Sequence, residues 1–413
     1  MPPTEPPTDA PPPRPPGWEA AALIGGGLLL LAVLIVADRW FSAGAGPRFS
    51  IVDPAQSRAS STASPYAGPG VCAECHPGES ALYSRSGHAH TLQAAASSSV
   101  ARRLAGRVVA DPEQPGVSWS YTLRPGAFEA IRTERGEVEK FVLDYLLGSG
   151  RHAATFVSLT DPWEPSAIEH RITYYPAADA TEVTPGQHAG RSIEGTTRTG
   201  RELSRLDTLK CFGCHATPES PDEAFATAPG RAPAPNPGTM IPNVTCERCH
   251  GPARAHVDAA RRGRGDLSLP FGLDGWTAES QLGLCGQCHR HPARFPASRI
   301  RPDDPQLARF QPIGLMQSRC YTGSAGALSC TNCHDPHARS SSDRAAYEKV
   351  CLSCHDPAST LTPHARPGPS CPVSPRTGCL DCHMPKIDSG QRVLFTDHWI
   401  RVRSRVAVQG PAQ

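Results

Sequence analysis

The stretch CERCHGPARAHV, residues 246–257, places two cysteines, an adjacent histidine and a second histidine within one short segment. Its first five residues follow the pattern Cys-x-x-Cys-His, which occurs seven times in the 413-residue chain. These seven motifs use fourteen of the sixteen cysteines and begin at Cys72, Cys211, Cys246, Cys285, Cys330, Cys351 and Cys379. The repetition indicates that one kind of site is built seven times.

Three kinds of site use a Cys-x-x-Cys pair: a zinc ribbon, a redox-active disulfide and covalently attached haem c. Only haem attachment requires the adjacent histidine, because the two thiols bond to the porphyrin vinyl groups and the histidine binds the iron. Zinc ribbons use two pairs per metal, and seven is an odd number. The sequence therefore predicts seven haem c groups.

Each motif supplies two cysteines for attachment and one histidine for the iron. The predicted thioether cysteines are Cys72, Cys75, Cys211, Cys214, Cys246, Cys249, Cys285, Cys288, Cys330, Cys333, Cys351, Cys354, Cys379 and Cys382. The predicted proximal iron ligands are His76, His215, His250, His289, His334, His355 and His383.

Ten further histidines are available to bind iron from the opposite side of each ring. A second histidine ligand saturates the iron and suits it to electron transfer, whereas an open position lets small molecules react. A histidine three to six residues after a motif leaves the same face of the same ring, so it should reach a neighbouring haem. The predicted distal ligands are His88, His152, His188, His256, His337, His364 and His398; the remaining three are His90, His170 and His291.

The segment from residue 20 to residue 37 is uncharged and apolar, and Trp18 and Trp40 flank it. This length and these flanking aromatics favour a single transmembrane helix, with a cleaved signal peptide as the alternative. Because haem is attached covalently on the outer face of the membrane, we expect the rest of the chain on the periplasmic side of the inner membrane.

The composition limits the remaining possibilities. The chain has 41 basic and 39 acidic residues and no concentrated basic patch, which argues against a nucleic-acid partner. Only 38% of its residues are hydrophobic, so the macrocycles are expected to supply part of the core. Cys320 and Cys371 lie outside the motifs, and either a disulfide between them or two free thiols is compatible with export.

The predicted fold is mainly α-helical or irregular, with a small β-rich insert and a single N-terminal transmembrane helix. The insert is predicted from short runs such as GVSWSYTLRP and IEHRITYYP, which are rich in β-branched and aromatic residues. The predicted domains are a proline-rich tail (1–17), a membrane anchor (18–40), a flexible linker (41–66), a first haem segment (67–100), a β-rich module (101–205), a six-haem core (206–403) and a tail (404–413).

Five segments of the chain carry a family resemblance: CAECHPGESALYSRSGHAHT (72–91), YLLGSGRHAATFVSL and the closing segments CERCHGPARAHV, CTNCHDPH and FTDHWI. They resemble segments of the multihaem c-type cytochromes with doubled Cys-x-x-Cys-His motifs. That family is related to the exported tetrahaem electron carriers of ammonia oxidation. The resemblance implies that the positions of His88, His256, His337 and His398 are axial ligands and that the position of His152 often carries a histidine. His188 has no clear counterpart.

These observations predict an exported, membrane-anchored seven-haem cytochrome that transfers electrons between a donor and an acceptor redox protein, with self-association left open. The alternative is a multihaem oxidoreductase of small nitrogen or sulfur compounds with one open-site haem. In that case His90, His152, His188 or Lys386 would be candidates for proton delivery. The carrier is preferred because the histidines outnumber the irons.

Overall fold

The computed structural model describes residues 64–402 apart from several internal segments, and these residues belong to one compact unit, Ile51–Gln413. The segments left out are 69, 161–165, 191, 219–239, 265–268, 270–275, 357–367 and 390–392. The predicted tail 1–17, the anchor 18–40, nearly all of the linker, His364 and the tail 404–413 lie outside the described residues.

Alternating apolar residues between positions 108 and 143 form a four-stranded antiparallel sheet in the order β2-β3-β4-β5. Strands β4 and β5 are joined by a two-residue turn in which Arg135 and Gly136 both have positive φ, 50° and 88°. This turn follows the right-handed twist of the strands it joins. The four strands are Val108–Ala110, Val117–Arg124, Ala127–Glu134 and Glu137–Leu143.

A second antiparallel sheet joins six strands in the order β1-β6-β7-β8-β10, with β9 also paired to β8. Its strands are Leu92–Ala94, Tyr145–Leu147, Ala154–Leu159, Ala167–Tyr175, Ala180–Val183 and Gly200–Leu203. Trp119, Tyr121, Phe128, Phe156 and Tyr174 are buried in one apolar cluster that both sheets contribute to. This part of the chain therefore has a core made of its own side chains.

Two short hairpins lie outside these sheets, one formed by β11 (Ala216–Pro218) and β12 (Met240–Pro242), the other by β13 (Lys386–Asp388) and β14 (Leu394–Thr396). The α-helices of the described residues are short, between five and twelve residues. They are α1 Pro77–Tyr83, α2 Ser99–Leu104, α3 Arg205–His215, α4 Cys246–His250, α5 Arg254–Arg261, α6 Ala278–His289, α7 Gln311–Gln317, α8 Arg319–Gly323, α9 Arg344–His355 and α10 Cys379–His383.

Single 3-10 turns connect these elements. They are Val71–Glu74, His88–His90, Ala95–Ser97, Pro292–Arg294, Ala297–Arg299, Pro305–Arg309 and Cys330–Asn332.

The predicted fold class is wrong. The described residues contain fourteen strands in four sheets, so β-structure is a main component of the fold and not a small insert. The physical reason is that the alternating runs bury large aromatic side chains on two facing sheets, and the helices stay short because several of them end at a motif histidine. In the part of the chain that the structure describes, no helix has the length and apolar character needed to cross a membrane.

A buried histidine in β8 provides a pH-dependent prediction for this β-structure. His170 is 2% exposed, and its Nε2 atom lies 3.0 Å from the Tyr121 hydroxyl. Burial lowers the pKa of His170 to about 3. Since a free imidazole titrates near pH 6.5, the unfolded chain binds one more proton than the folded chain between about pH 6.5 and pH 3, and stability falls as pH falls through that window.

We expect wild type to lose roughly 2 kcal/mol more of its free energy of unfolding than His170→Gln between pH 7 and pH 5, at about 1.4 kcal/mol per pH unit below 6.5. Glutamine is chosen because it stays neutral and keeps a polar group for Tyr121. Glu113, Glu134 and Asp179 have lowered pKa values and also lose stability on acidification, but both proteins share them. Denaturant unfolding followed by circular dichroism gives the comparison; parallel pH profiles would contradict it.

Candidate haem-binding sites

Each Cys-x-x-Cys-His motif forms one helical turn. Five motifs close a helix at their histidine, namely in α3, α4, α6, α9 and α10. The first and fifth motifs lie in 3-10 turns, and there His76 N and His334 N donate to Cys72 O and Cys330 O at 2.8 Å and 3.0 Å. One helical turn brings both thiols and the imidazole of a motif to the same side, as attachment to one macrocycle requires.

Four motif histidines face a second histidine from a different part of the chain. The ring centres are 6.5 Å apart for His76 and His256, 6.3 Å for His88 and His289, 6.0 Å for His250 and His337, and 6.2 Å for His334 and His398. In each pair, one member belongs to a motif and the other to the predicted distal ligands.

These separations match the requirement for two axial ligands of one iron. With metal–nitrogen bonds of about 2 Å and about 1 Å from each nitrogen to its ring centre, opposed imidazoles have centres about 6 Å apart. The four pairs thus leave the space for one metal ion between their rings. The residues present therefore fit haem c in the first, third, fourth and fifth motifs.

The hydrogen bonds of the rings also fit this role. An imidazole that donates through Nδ1 keeps the Nε2 lone pair for a metal. Seven of the predicted ligands place Nδ1 against an oxygen at 2.8 to 3.3 Å: His88, His188, His215, His289, His337, His355 and His398. His90 and His170 instead use Nε2 in their hydrogen bonds, which leaves them unsuited as ligands.

Burial keeps the proximal rings in the form that binds iron. It lowers the pKa of His215, His250, His289 and His334, and it lowers the pKa of the distal His398 to about 4. A neutral imidazole is the metal-binding form, so these groups need no deprotonation at neutral pH.

His398 is positioned by α7. A Cβ atom on Gly314 would lie 2.8 Å from the His398 carbonyl carbon, so glycine is needed for this close approach. The Ser318 hydroxyl donates to His398 O at 3.2 Å and accepts from Ile400 N at 2.8 Å. The backbone of His398 is thereby held against the helix while its ring faces His334.

His256 is positioned by a carboxylate inside the third motif. Glu247, one of the two residues between Cys246 and Cys249, is 4% exposed, and its Oε1 atom accepts from Ala253 N at 2.9 Å at the start of α5. The same carboxylate accepts from Ala67 N at 2.7 Å and Gly68 N at 3.0 Å, directly before the first motif. The sequence alone does not reveal this role of Glu247, because two of its three hydrogen-bond partners lie about 180 residues away.

Thiols of different motifs are in contact. Cys72 lies close to Cys246, Cys214 to Cys288, Cys285 to Cys330 and Cys351 to Cys379. Two haem groups attached to thiols that lie close together must themselves be neighbours. The sixth motif is also adjacent to the fifth, since the Tyr347 ring on α9 lies 5.5 Å from the His334 ring.

Comparison with known proteins agrees with this geometry. Residues 176–251, which contain the second and third motifs, match the family model described as cytochrome c554 and c-prime. The match and the seven motifs together identify a multihaem c-type cytochrome. Proteins of this kind bind haem c covalently and transfer electrons.

The cytochrome was also compared with individual proteins. No curated protein sequence matches it. A solved structure described as the outer cell wall cytochrome OcwA is similar at 14% identity with a TM-score of 0.43, covering 82% of this chain and 80% of that one.

Not every predicted distal ligand of the cytochrome lies near a motif histidine. His188 Nδ1 lies 2.8 Å from Glu113 Oε1 among the β-strands, in a salt bridge, and the His152 side chain is exposed in the loop between β6 and β7. His364 lies outside the described residues. Across the described part of the chain, no histidine ring faces His215, His355 or His383 in the way seen for the other four motifs.

The two cysteines outside the motifs of the cytochrome are free thiols. Cys320 lies near Cys333 and Cys354 of the fifth and sixth motifs, whereas Cys371 lies near Cys379 of the seventh. A disulfide between Cys320 and Cys371 is absent from the structure.

Proposed function

We propose that this cytochrome carries seven haem c groups and transfers electrons between redox partners on the exported side of a membrane, by hopping from haem to haem. The observation that supports this most directly is the set of four histidine pairs with ring centres 6.0 to 6.5 Å apart. Two protein ligands on one iron leave no position for a substrate, which suits electron transfer. When bound, each haem c supplies a one-electron iron couple.

The chain's own residues hold the attachment sites close together. Thiol contacts link the first motif to the third, the second to the fourth, the fourth to the fifth and the sixth to the seventh. Glu348 on α9 adds a second link between the last two motifs, because its carboxylate accepts from Gly378 N at 3.2 Å. Such contacts support a continuous relay from one end of the array to the other.

Export and partners belong to the same proposal. Attachment of haem through thioethers takes place outside the cytoplasm, and the nearly balanced charge of +2 fits docking to redox proteins better than binding to a polyanion. A donor and an acceptor protein are therefore the expected partners.

A second candidate function is supported by the second motif. His215 donates through Nδ1 to Thr91 O at 2.8 Å, which leaves its Nε2 for iron, yet no described histidine ring faces it from the other side. An iron with one protein ligand has an open position where a small nitrogen or sulfur compound can bind. In this reading the cytochrome is an oxidoreductase and the other motifs deliver electrons to that position.

The haem count and the spin states test both candidates. We expect mass spectrometry and the pyridine haemochrome assay to give seven covalent haems per chain. Cys320→Ser and Cys371→Ser should keep all seven, because these thiols lie outside the motifs, whereas Cys246→Ala should compromise attachment. Fewer than seven haems in wild type, or a lost haem in either control, would contradict the assignment.

Cyanide binding then separates the two candidates. Exclusively low-spin haems that bind no cyanide would remove the oxidoreductase. A high-spin haem that binds cyanide, and that disappears in Cys211→Ala, would locate the reactive position at the second motif and remove the pure carrier.

A further inference from the structure

The fourth motif, Cys285–His289 at the end of α6, is in contact with three other motifs in the described structure, namely the second, the third and the fifth. Its first contact is with the second motif: Cys214 Sγ lies 4.0 Å from Gln287 O, and the thiols of Cys214 and Cys288 are close to each other. The contact is made between the ends of two helices, α3 and α6.

The second contact is with the fifth motif. Cys285, at the other thiol position of the same motif, lies close to Cys330. One turn earlier on α6, Gln281 Oε1 accepts a hydrogen bond from the Thr331 hydroxyl at 2.8 Å. The two cysteines of the fourth motif therefore face two different neighbours.

The third contact is with the third motif. Arg248, between the two cysteines of that motif, hydrogen-bonds to Cys288, and its Nη2 atom donates to Gly213 O at 3.1 Å. Cys249 lies within electrostatic range of Cys285. The Arg248 guanidinium of the third motif thus contacts both the second and the fourth motif.

On the distal side of the fourth motif, His88 also contacts segments next to the third and fifth motifs. The His88 ring faces His289. The Nδ1 atom of His88 donates to Pro336 O, just after the fifth motif, at 3.3 Å. The carbonyl of His88 accepts from Val244 N, just before the third motif, at 3.1 Å. Segments of the third and fifth motifs therefore hold the distal ligand of the fourth.

We infer that the fourth motif is a branch point of the array, where the arm of the fifth, sixth and seventh motifs meets the second motif and the arm of the third and first motifs. By contrast, the first motif has a thiol contact with the third alone among the described contacts. The inference rests on the proposed function, because an arm has meaning only where the motifs carry redox groups.

Counting magnetic neighbours tests the branch point. In His88→Met the fourth motif gains histidine–methionine ligation, which raises its reduction potential. At a potential where this haem alone is reduced, it becomes diamagnetic, so the coupling to its ferric neighbours is lost. We expect electron paramagnetic resonance to show changes in the signals of three other haems.

His256→Met is the matched control, because it makes the same change at the distal side of the first motif. Its selective reduction should alter the signal of one other haem. One or two altered signals in His88→Met would overturn the branch point. If His88→Met lacks full haem loading, His88→Ala under carbon monoxide gives the same count, because a ferrous haem that binds carbon monoxide is low-spin and diamagnetic.

The count is independent of the proposed function. A cytochrome that fails to pass electrons from a donor to an acceptor can still show three neighbours, and that result would remove the carrier function while keeping the branched arrangement. A cytochrome that passes electrons from donor to acceptor but shows fewer than three neighbours would keep the carrier function and remove the branch point.

Discussion

Replacing His256 with alanine should convert one haem from low spin to high spin without removing any covalently bound haem. His256 has its ring centre 6.5 Å from that of His76, and it lies outside the five residues of the third motif. Its loss opens the sixth position at the first motif while every thioether stays intact. Optical and electron paramagnetic resonance spectra of the ferric protein measure the change, and added imidazole should reverse it.

The location of the change is tested by combining it with loss of the first haem. In Cys72→Ala/Cys75→Ala, which lacks the attachment thiols of the first motif, His256→Ala should produce no additional high-spin haem. His90→Ala is the matched single control, since His90 Nε2 is bound to Ser84 O at 2.9 Å and faces no motif histidine. An unchanged spectrum in His256→Ala, or an effect that survives in the thiol variant, would refute the pairing of His76 with His256.

Replacing Glu247 with alanine should cost roughly 3 to 5 kcal/mol of stability, because it leaves three buried or half-buried backbone N–H groups without their acceptor. These groups belong to Ala67, Gly68 and Ala253. Glu247→Gln should cost about 1 kcal/mol, since an oxygen at the Oε1 position still accepts from Ala67 and Ala253. Denaturant unfolding of the three proteins measures the series.

Glu74→Ala is the matched surface control. Its carboxylate is bound to Arg261 at 2.9 Å, but both side chains are more than half exposed, and such a pair contributes little. We also expect Glu247→Ala to weaken the magnetic coupling between the first and third haems, because the carboxylate holds the entry to the first motif. Equal stabilities for all four proteins would exclude this role of Glu247.

The chemistry of the attachment sites was accessible from the sequence because it is local. Cysteine and histidine positions within five residues determine what one helical turn can hold, so the haem c prediction needed no tertiary structure. The pairing of distal ligands is not local: His88 and His289 are brought together by packing between distant segments. Spacing shows that a histidine close behind a motif should bind elsewhere, but it does not indicate where.

The fold class was misjudged for a related reason. The hydrophobic content of the whole chain indicates little side-chain core, and the haem motifs indicate helical turns. The strands from Val117 to Tyr175 nevertheless bury Trp119, Phe128 and Tyr174 in one cluster of side chains, so one part of the protein follows ordinary sheet packing. A mean composition hides such a division. His188 illustrates the same limit, since only the structure reveals its salt bridge with Glu113.

The histidine pairs also set an order of maturation for a chain that crosses a membrane with its N-terminus first. The partners of His76, His250 and His334 all emerge later, as His256, His337 and His398, whereas His289 finds His88 already outside. The fourth motif can thus acquire both axial ligands as soon as it is exported. The fifth must wait for His398, so its spin state reports whether export has passed that residue.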